Sequence, residues 1–149
     1  MDAIVRLTQE IGKLWRAVRK LQVTGFQRPT WLTTSLTSTS FDGDSFSTTA
    51  KTLIDLSAVF GAPANIKAIL VNVVCQDSGS AAAGPYFLLS PNGVAGDGIS
   101  TILQGVPNDN QRGHAFVCPC DANGDFYYQC VASGASTLDV WVWIWAYWL

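Results

Sequence analysis

The segment from Leu138 to Leu149 is apolar on both of its faces. Successive side chains of a β-strand point to opposite sides. One side would carry Trp141, Trp143, Trp145 and Tyr147, and the other Val140, Val142, Ile144, Ala146 and Trp148. A single sandwich core can bury only one of these two sets. The other set needs a cover, and we expect that cover to be another copy of the same chain.

Length and composition favour one domain with a short appendage. The chain has 149 residues, of which 48% are hydrophobic and only 13% are charged, about half of the usual charged fraction. Residues 1–22 hold five basic and two acidic side chains, whereas the remainder has a net charge of −5. An acidic body of this kind argues against nucleic-acid binding.

Neither export nor membrane insertion is expected from the sequence. Charged residues interrupt the first apolar positions, so a signal peptide is not predicted, and the apolar run at the other terminus is too short for a membrane helix. We therefore expect the cysteines to be free thiols formed in a reducing cytoplasm rather than a disulfide framework. They are Cys75, Cys118, Cys120 and Cys130.

Residues 1–23 are predicted to form a coiled-coil or anchor helix. Apolar residues recur with spacings of three and four over three heptads. These positions are Ile4, Leu7, Ile11, Leu14, Val18 and Leu21. Three heptads are marginal alone, so the helix needs partners. An amphipathic helix folded back on its own domain is the alternative.

The heptads do not decide the number of subunits. β-Branched residues at a with Leu at d favour two strands. Trp15 at e and Ala17 at g widen the apolar stripe, which suits a trimer or a helix packed on another protein. A dimer and a trimer both stay open on the heptads alone.

After a linker over residues 24–30, residues 31–149 are predicted to form a mainly β domain. About eight short strands with turn signals between them are typical of an antiparallel β-sandwich, jelly-roll-like in topology. The expected strands are Trp31–Ser40, Phe46–Thr49, Lys51–Leu56, Ile66–Gln76, Tyr86–Ser90, Ile99–Val106, His114–Cys120, Phe126–Ala132 and Leu138–Trp148. Asp121 to Asp125 is expected to close a hairpin.

Motifs for catalysis or metal binding are weak, and no cofactor, metal or enzymatic activity is expected. His114 shares a strand face with Cys118 and Cys120, and with Cys130 these could form a zinc site, but buried inert thiols are favoured. Turn chemistry explains the aspartates better than paired glycosidase carboxylates do. The spacing Asp121-x-Asn123-x-Asp125 lacks the rest of a calcium loop.

The alternating tryptophans admit a second interpretation. Flat aromatic faces also stack on sugar rings, so a lectin-like carbohydrate-binding module is the alternative function. An exposed platform of this size would promote aggregation, which favours burial of Trp141, Trp143 and Trp145 between subunits.

The overall pattern resembles the small trimeric fibre, spike and head-decoration proteins of tailed bacteriophages. The resemblance is carried by the N-terminal heptads, the Gly/Pro linker, the segment Ala62 to Val73, and the ending from Leu138-Asp139-Val140-Trp141 to Tyr147-Trp148-Leu149. It implies a virion structural protein, assembled in the host cytoplasm, whose helices form a stalk or contact other virion proteins. It also implies a homotrimer with a β-sandwich head that serves host attachment or capsid decoration.

Polar, Gly-rich loops on a rigid sandwich commonly carry recognition. The candidate contact loops run from Asp77 to Pro85, from Asn92 to Gly98 and from Pro107 to Gly113. A glycan or a protein of the host surface is the expected partner. The candidate contact residues are Asp77, Ser80, Asn92, Asp97, Asn108 and Asp109.

Overall fold

The computed structural model describes residues 10–16, 28–38, 48–82 and 84–149. Within them the chain forms eight β-strands, a short helix and an N-terminal helical segment over residues 10–16. The strands are β1 (Thr30–Leu36), β2 (Thr48–Ile54), β3 (Ala68–Asp77), β4 (Tyr86–Ser90), β5 (Ile99–Ile102), β6 (Arg112–Pro119), β7 (Phe126–Val131) and β8 (Leu138–Trp148). The short helix is α1 (Leu56–Phe60).

The strands form two antiparallel four-stranded sheets, which confirms the prediction of a mainly β domain. The order in one sheet is β1-β8-β3-β6 and in the other β2-β7-β4-β5. Strands that are consecutive in sequence thus mostly lie in different sheets. Among the described strands, only β4 and β5 are both consecutive in sequence and paired with each other. This order of eight strands is that of a jelly roll.

Strand β3 shows how the alternation of its residues builds the core. Ile69, Val71, Val73 and Cys75 are fully buried, whereas the residues between them are only partly buried. The sequence alternation predicts this split of the segment, with Leu70, Asn72 and Val74 opposite the four buried residues, and the structure confirms it for these positions. Each inward residue removes apolar surface from water, which is the main favourable contribution to folding.

The core lies between the two sheets. It contains the inward residues of β3 and β8, together with aromatic side chains from the opposite sheet and α1. Phe87 and Tyr128 stack with ring centroids 6.2 Å apart, and Phe60 and Phe126 lie 6.3 Å apart at a tilt. Such pairs contribute about 0.5–1.5 kcal/mol beyond their buried area.

The helix α1 was missed by the sequence prediction, which placed a strand over Lys51–Leu56. Strand β2 ends at Ile54, and Asp55 caps the helix by accepting a 2.9 Å hydrogen bond from the Ala58 backbone N–H. Gly61 ends the helix in the left-handed conformation, with φ of 67°. An N-cap Asp and a glycine just past the last turn are the usual signals of a short helix.

The prediction of a hairpin over Asp121 to Asp125 was wrong. The turn joins β6 to β7, and these strands belong to different sheets. The Asp121 carboxylate holds it by accepting hydrogen bonds from the backbone N–H groups of Asn123 and Asp125, at 2.8 and 3.0 Å. The turn itself was predicted correctly, but the residues of a turn do not reveal whether the two flanking strands pair with each other.

The face assignment of β8 also changes near its end. A register shift opposite Leu70 and Val71 places a bulge near Trp145, because Ile144 pairs with Val71 and Ala146 with Leu70. Beyond the bulge Tyr147 packs against the core. Trp148 pairs with Ala68 on the outer side. The prediction that Tyr147 shares a face with Trp141, and that Trp148 lies on the opposite one, was therefore wrong.

The two ends of the sandwich differ in what they carry. One end, which we call the entry end, holds the start of β1, the helix α1, the turn 121–125 and the C-terminal residue Leu149. The opposite end, called the loop end, holds the connections over residues 78–85, 103–111 and 132–137. Strand β1 therefore begins at the end opposite to these three loops.

We expect Gly124→Ala to destabilise the domain more than Gly61→Ala. Both glycines have positive φ, which costs other residues about 1–2 kcal/mol. A Cβ at Gly124 would also lie 2.9 Å from the Ile66 backbone nitrogen, whereas one at Gly61 meets nothing within 4 Å. Overpacking of this kind adds about 1–3 kcal/mol. Urea unfolding of both variants at one protein concentration checks this, and equal midpoints would contradict it.

Candidate functional site

Tryptophan side chains gather on the outer surface of the β1-β8-β3-β6 sheet, which we call the tryptophan face. Directly paired residues of an antiparallel ladder project to the same side. The outward rows are Trp141–Val74–Gly113, Trp143–Asn72–Ala115, Trp31–Ala146–Leu70–Val117 and Trp148–Ala68–Pro119. With Trp145 at the bulge, five of the six tryptophans lie on this surface.

Much of this apolar surface is open to solvent in the single chain. Trp31 is 67% exposed, Val117 46% and Trp145 41%, while Trp141, Trp143 and Trp148 are partly buried. Contiguous exposed aromatic surface is rare on monomers and marks interaction sites. The tryptophan face is therefore the strongest candidate for a binding surface among the described residues.

The tryptophan face contains no charged side chain in these four rows. Asn72 is the one polar side chain within these rows. Further polar groups begin at the margin toward the loop end, where the Gln76 amide donates a 3.0 Å hydrogen bond to the Asp139 carboxylate. Gln111 in turn donates to Gln76 at 3.3 Å. The apolar part therefore extends from the entry end to just short of the loop end.

The relief of the tryptophan face is uneven. Strand β8 presents Trp141 and Trp143, whereas two strands away β6 presents Gly113 and Ala115 in the same rows. Neighbouring strands are about 4.8 Å apart, so a ridge of indoles lies roughly 10 Å from a trough of small residues. A ridge and a trough on one surface can be filled by the matching features of another copy.

The structure brings the predicted C-terminal assembly residues together. Trp141, Trp143 and Trp145 all belong to the tryptophan face. Sequence reasoning missed Trp31 and Trp148. The position of Trp31 in the first strand was visible, but its pairing with β8 was not.

The N-terminal heptad residues are described only in part. Ile11 and Leu14 lie in the helical segment 10–16 and are exposed, as is Trp15 beside them. The helical conformation of these positions agrees with the predicted stripe. Ile4, Leu7, Val18 and Leu21 lie outside the described residues, so the coiled coil stays a prediction.

A buried carboxylate organises the loop end. Asp77 accepts hydrogen bonds from the backbone N–H groups of Gly79 and Ser133, at 2.8 and 3.0 Å. It also accepts from the hydroxyl groups of Ser133 and, at 3.1 Å, Thr137. Its backbone carbonyl accepts from the Asp109 N–H at 3.1 Å. One side chain thus joins the loops after β3 and β7, and its main chain reaches the loop after β5.

The pKa of Asp77 reflects two opposing influences. Burial raises the pKa of a carboxyl group because it disfavours the charged form. Here the hydrogen bonds from Ser133, Gly79 and Thr137 outweigh burial, and the pKa of Asp77 is lowered. The carboxylate form is therefore the one that stabilises the loop end.

The candidate recognition residues divide into two groups by exposure. Asp77 and Ser80 are fully buried, and the Ser80 hydroxyl donates a 2.9 Å hydrogen bond to the Val106 carbonyl. Their role is to shape the loops. Asn108 and Asp109 are exposed at the same end, and Asn108 accepts a 3.0 Å hydrogen bond from the Ala81 N–H.

The third candidate loop belongs to a different region. Residues 91–98 connect β4 to β5 and fold over the outer face of the β2-β7-β4-β5 sheet, where the Gly96 N–H donates to the Gln129 side chain at 3.3 Å. Asn92 donates a 2.7 Å hydrogen bond to the Asp97 carboxylate within the loop. A contact role for Asn92, Asp97, Asn108 and Asp109 stays a prediction.

Lys51 fastens this loop to the sheet. Its ammonium group donates to the carbonyls of Asn92, at 3.1 Å, and of Asp97, and to the Ser90 hydroxyl. Partial burial lowers the pKa of Lys51, although the neighbouring Asp97 carboxylate acts in the opposite direction. One cation thus contacts both ends of the loop and holds it against the sheet, in addition to the Gly96–Gln129 hydrogen bond.

The remaining reactive groups are poorly placed for chemistry. All four cysteines are free, and burial raises the pKa of Cys118 and of Cys120 to about 12 and that of Cys75 further. The thiolate, which is the nucleophilic form, is thereby disfavoured. His114 is exposed on β6, its ring 5.2 Å from that of Phe116. Within the described ranges, no three His, Cys, Asp or Glu side chains are grouped as metal ligands.

Comparison with known proteins gave no match, either to a protein-family model or to a curated protein. In the part of the chain that the structure describes, no helix is long and apolar enough to cross a membrane.

We expect Asp77→Asn to destabilise the domain by about 1–3 kcal/mol near neutral pH, since buried donors would lose their acceptor. The folded pKa is below the unfolded value of about 3.9. The carboxylate's contribution is thus fully present above that value and is lost as pH falls through the folded pKa. Urea unfolding at neutral and acidic pH measures this.

The exposed Asp109 is the matched control, since Asn also tolerates its positive φ of 63°. Asp109→Asn should leave the unfolding midpoint nearly unchanged. A gap between wild type and Asp77→Asn that stays constant down to low pH would contradict the proposed role of the Asp77 charge.

Proposed function

We propose that this chain is a structural protein of a tailed-bacteriophage virion, a homotrimeric fibre, spike or capsid-decoration component. In this role the N-terminal helices bundle and hold the protein to other virion proteins. The β-sandwich forms a head that displays its loops for host attachment or particle stabilisation. The protein performs no catalytic turnover in this role.

The observation that carries the proposal is the uncharged tryptophan face on the outer side of a complete sandwich. The inward residues of β8 already fill the core, so the outward set has no place inside one chain. Burial of apolar area contributes about 25 cal/mol per Å². Copies of the same chain supply equally apolar surface, and this makes self-association the favoured cover.

The geometry of the sandwich supports a stalk-and-head arrangement. The linker joins β1 at the entry end, and the tryptophan face begins there with Trp31 and Trp148. A helical bundle on a threefold axis would bring the entry ends of its copies together. The indoles of one copy would then meet the Gly113 and Ala115 trough of the next, a head-to-tail contact that closes into a ring.

The same arrangement points the loop end away from the stalk. The Asp77 hydrogen bonds tie the loops of this end together, and preorganised loops bind with less loss of conformational entropy. Several copies of a weak site on one particle raise avidity without a strong single contact. The proposed location is the virion, with the loop end or the β2-β7-β4-β5 sheet directed to the host.

A carbohydrate-binding, lectin-like module is the second candidate. It is favoured by the two most exposed indoles of the tryptophan face, Trp31 and Trp145, since exposed aromatic rings can stack on sugars. In that case the face would remain open rather than buried between copies. The oligomeric state of the chain distinguishes the two functions.

We expect Trp143→Glu to break the assembly, because a charge at a buried contact is left without a partner. Light scattering during size-exclusion chromatography measures the mass of the full chain. Wild type should elute as a trimer, and the variant as a smaller species. Leu53→Glu is the matched control, since Leu53 is exposed on the opposite sheet. A monomeric wild type would refute the assembly.

We also expect the protein to be part of purified phage particles. Gold-labelled antibodies against the chain, viewed by electron microscopy, should mark particles at fixed positions on the tail or head. Particles from a deletion of the coding sequence serve as the unlabelled control. Labelling confined to the lysate, with clean particles, would contradict a virion role.

A further inference from the structure

A shallow groove lies on the outer face of the β2-β7-β4-β5 sheet, on the opposite side of the sandwich from the tryptophan face. Its volume is about 190 Å³. The lining residues are Gly84, Tyr86, Leu88, Gly96, Ser100, Ile102 and Gln104. It runs from the loop end, where Gly84 and Gln104 lie, to the tip of the Lys51-held loop at Gly96.

The groove has an apolar floor and open polar groups at its sides. Tyr86 pairs with Ile102, and Leu88 with Ser100, so these four side chains share the outer face. Leu88 is buried although it is outside the main core cluster, because the 91–98 loop covers it. The hydroxyl groups of Tyr86 and Ser100 and the Gln104 amide make no side-chain hydrogen bonds among the described residues.

These features match one sugar ring. A pyranose has an apolar face that packs on an aromatic or aliphatic surface, here Tyr86 and Ile102, and hydroxyl groups that exchange hydrogen bonds with Ser100 and Gln104. The volume is below the 300–1,000 Å³ that is typical for drug-sized ligands. The groove is therefore of a size for a single ring rather than for a long chain.

The charge around the groove favours neutral sugars over acidic ones. No Lys or Arg lines the groove, and residues 23–149 carry a net charge of −5. An acidic sugar would find no cation in the lining, since the nearby Lys51 ammonium is engaged by the Asn92 and Asp97 carbonyls. The acidic body of the domain would also repel it. A neutral hexose meets neither difficulty.

The position of the groove leaves it accessible in the proposed assembly. A trimer that buries the tryptophan face keeps the other sheet at its periphery, with the groove facing outward near the loop end. Host attachment through this groove thus rests on the proposed function, although sugar binding itself does not require the trimer.

We propose that this groove binds a neutral hexose ring, such as the terminal sugar of a host surface glycan. A single ring buries little area, so the Kd for a free monosaccharide is expected to be on the order of millimolar. Multiple copies on one particle raise the overall affinity for a glycan-covered surface.

Saturation-transfer NMR on the full chain tests the proposal, with glucose, galactose and mannose as neutral probes and glucuronate and N-acetylneuraminate as acidic ones. At least one neutral sugar should receive saturation, and the acidic ones should not. Gly84→Phe fills the groove and should weaken binding about tenfold or more. A Cβ at Gly84 meets nothing within 4 Å, so the fold tolerates the change.

Three further variants make the result specific. Ala82→Leu alters the same loop at an exposed position outside the lining and should bind as wild type does. Tyr86→Phe keeps the ring and should weaken binding less than Gly84→Phe. Trp143→Glu, on the other sheet, should leave monosaccharide binding intact.

Three results would overturn the proposal: no saturation of any neutral sugar, equal binding by Gly84→Phe and wild type, or loss of binding in Trp143→Glu instead. The last result would place the sugar on the tryptophan face. A trimer without sugar binding would refute this site and leave the assembly standing. A monomer that binds sugar would refute the proposed assembly and leave this site standing.

Discussion

The packing of β8 between β1 and β3 is the interaction on which the rest of the structure depends. Its inward residues, among them Val140, Val142 and Ile144, meet the buried residues of β3 and close the core. Its outward residues are tryptophans, and β1 adds Trp31 beside them. Strand β8 is apolar on both faces, and the core of a single chain buries only one of them. The other face remains outside the core, where its indoles keep apolar surface in water that burial would remove.

The two sheets carry different kinds of surface. The β1-β8-β3-β6 sheet carries an uncharged aromatic surface that reaches the end where the linker enters. The β2-β7-β4-β5 sheet carries a loop fastened by Lys51 and a small groove with open polar groups. Assembly and recognition can coexist on such a sandwich, since occupation of one face leaves the other accessible.

Buried polar groups add order to the loops. Asp77 is withdrawn from the surface, yet it determines the shape of the end where Asn108 and Asp109 are exposed. A buried carboxylate with several donors is stable only when those donors are fixed in place. The proposed contact residues Asn108 and Asp109 are thus neighbours of the residues that hold the loops.

Local patterning in the sequence was enough to predict most of the strands and the alternation of β3, because side chains of a strand alternate whatever it pairs with. It also predicted the outward set Trp141, Trp143 and Trp145. The signals for α1, Asp55 and Gly61, were present but were outweighed by the β-rich surroundings.

Only the tertiary structure decided which strands are neighbours, since pairing between distant segments leaves no local trace. It showed that the 121–125 turn crosses between sheets, that a bulge turns Tyr147 inward, and that Trp31 joins the other indoles. It also placed Asp77 and Ser80 inside and created the groove beside Tyr86. The character of each side chain is local, whereas its surroundings depend on the whole fold.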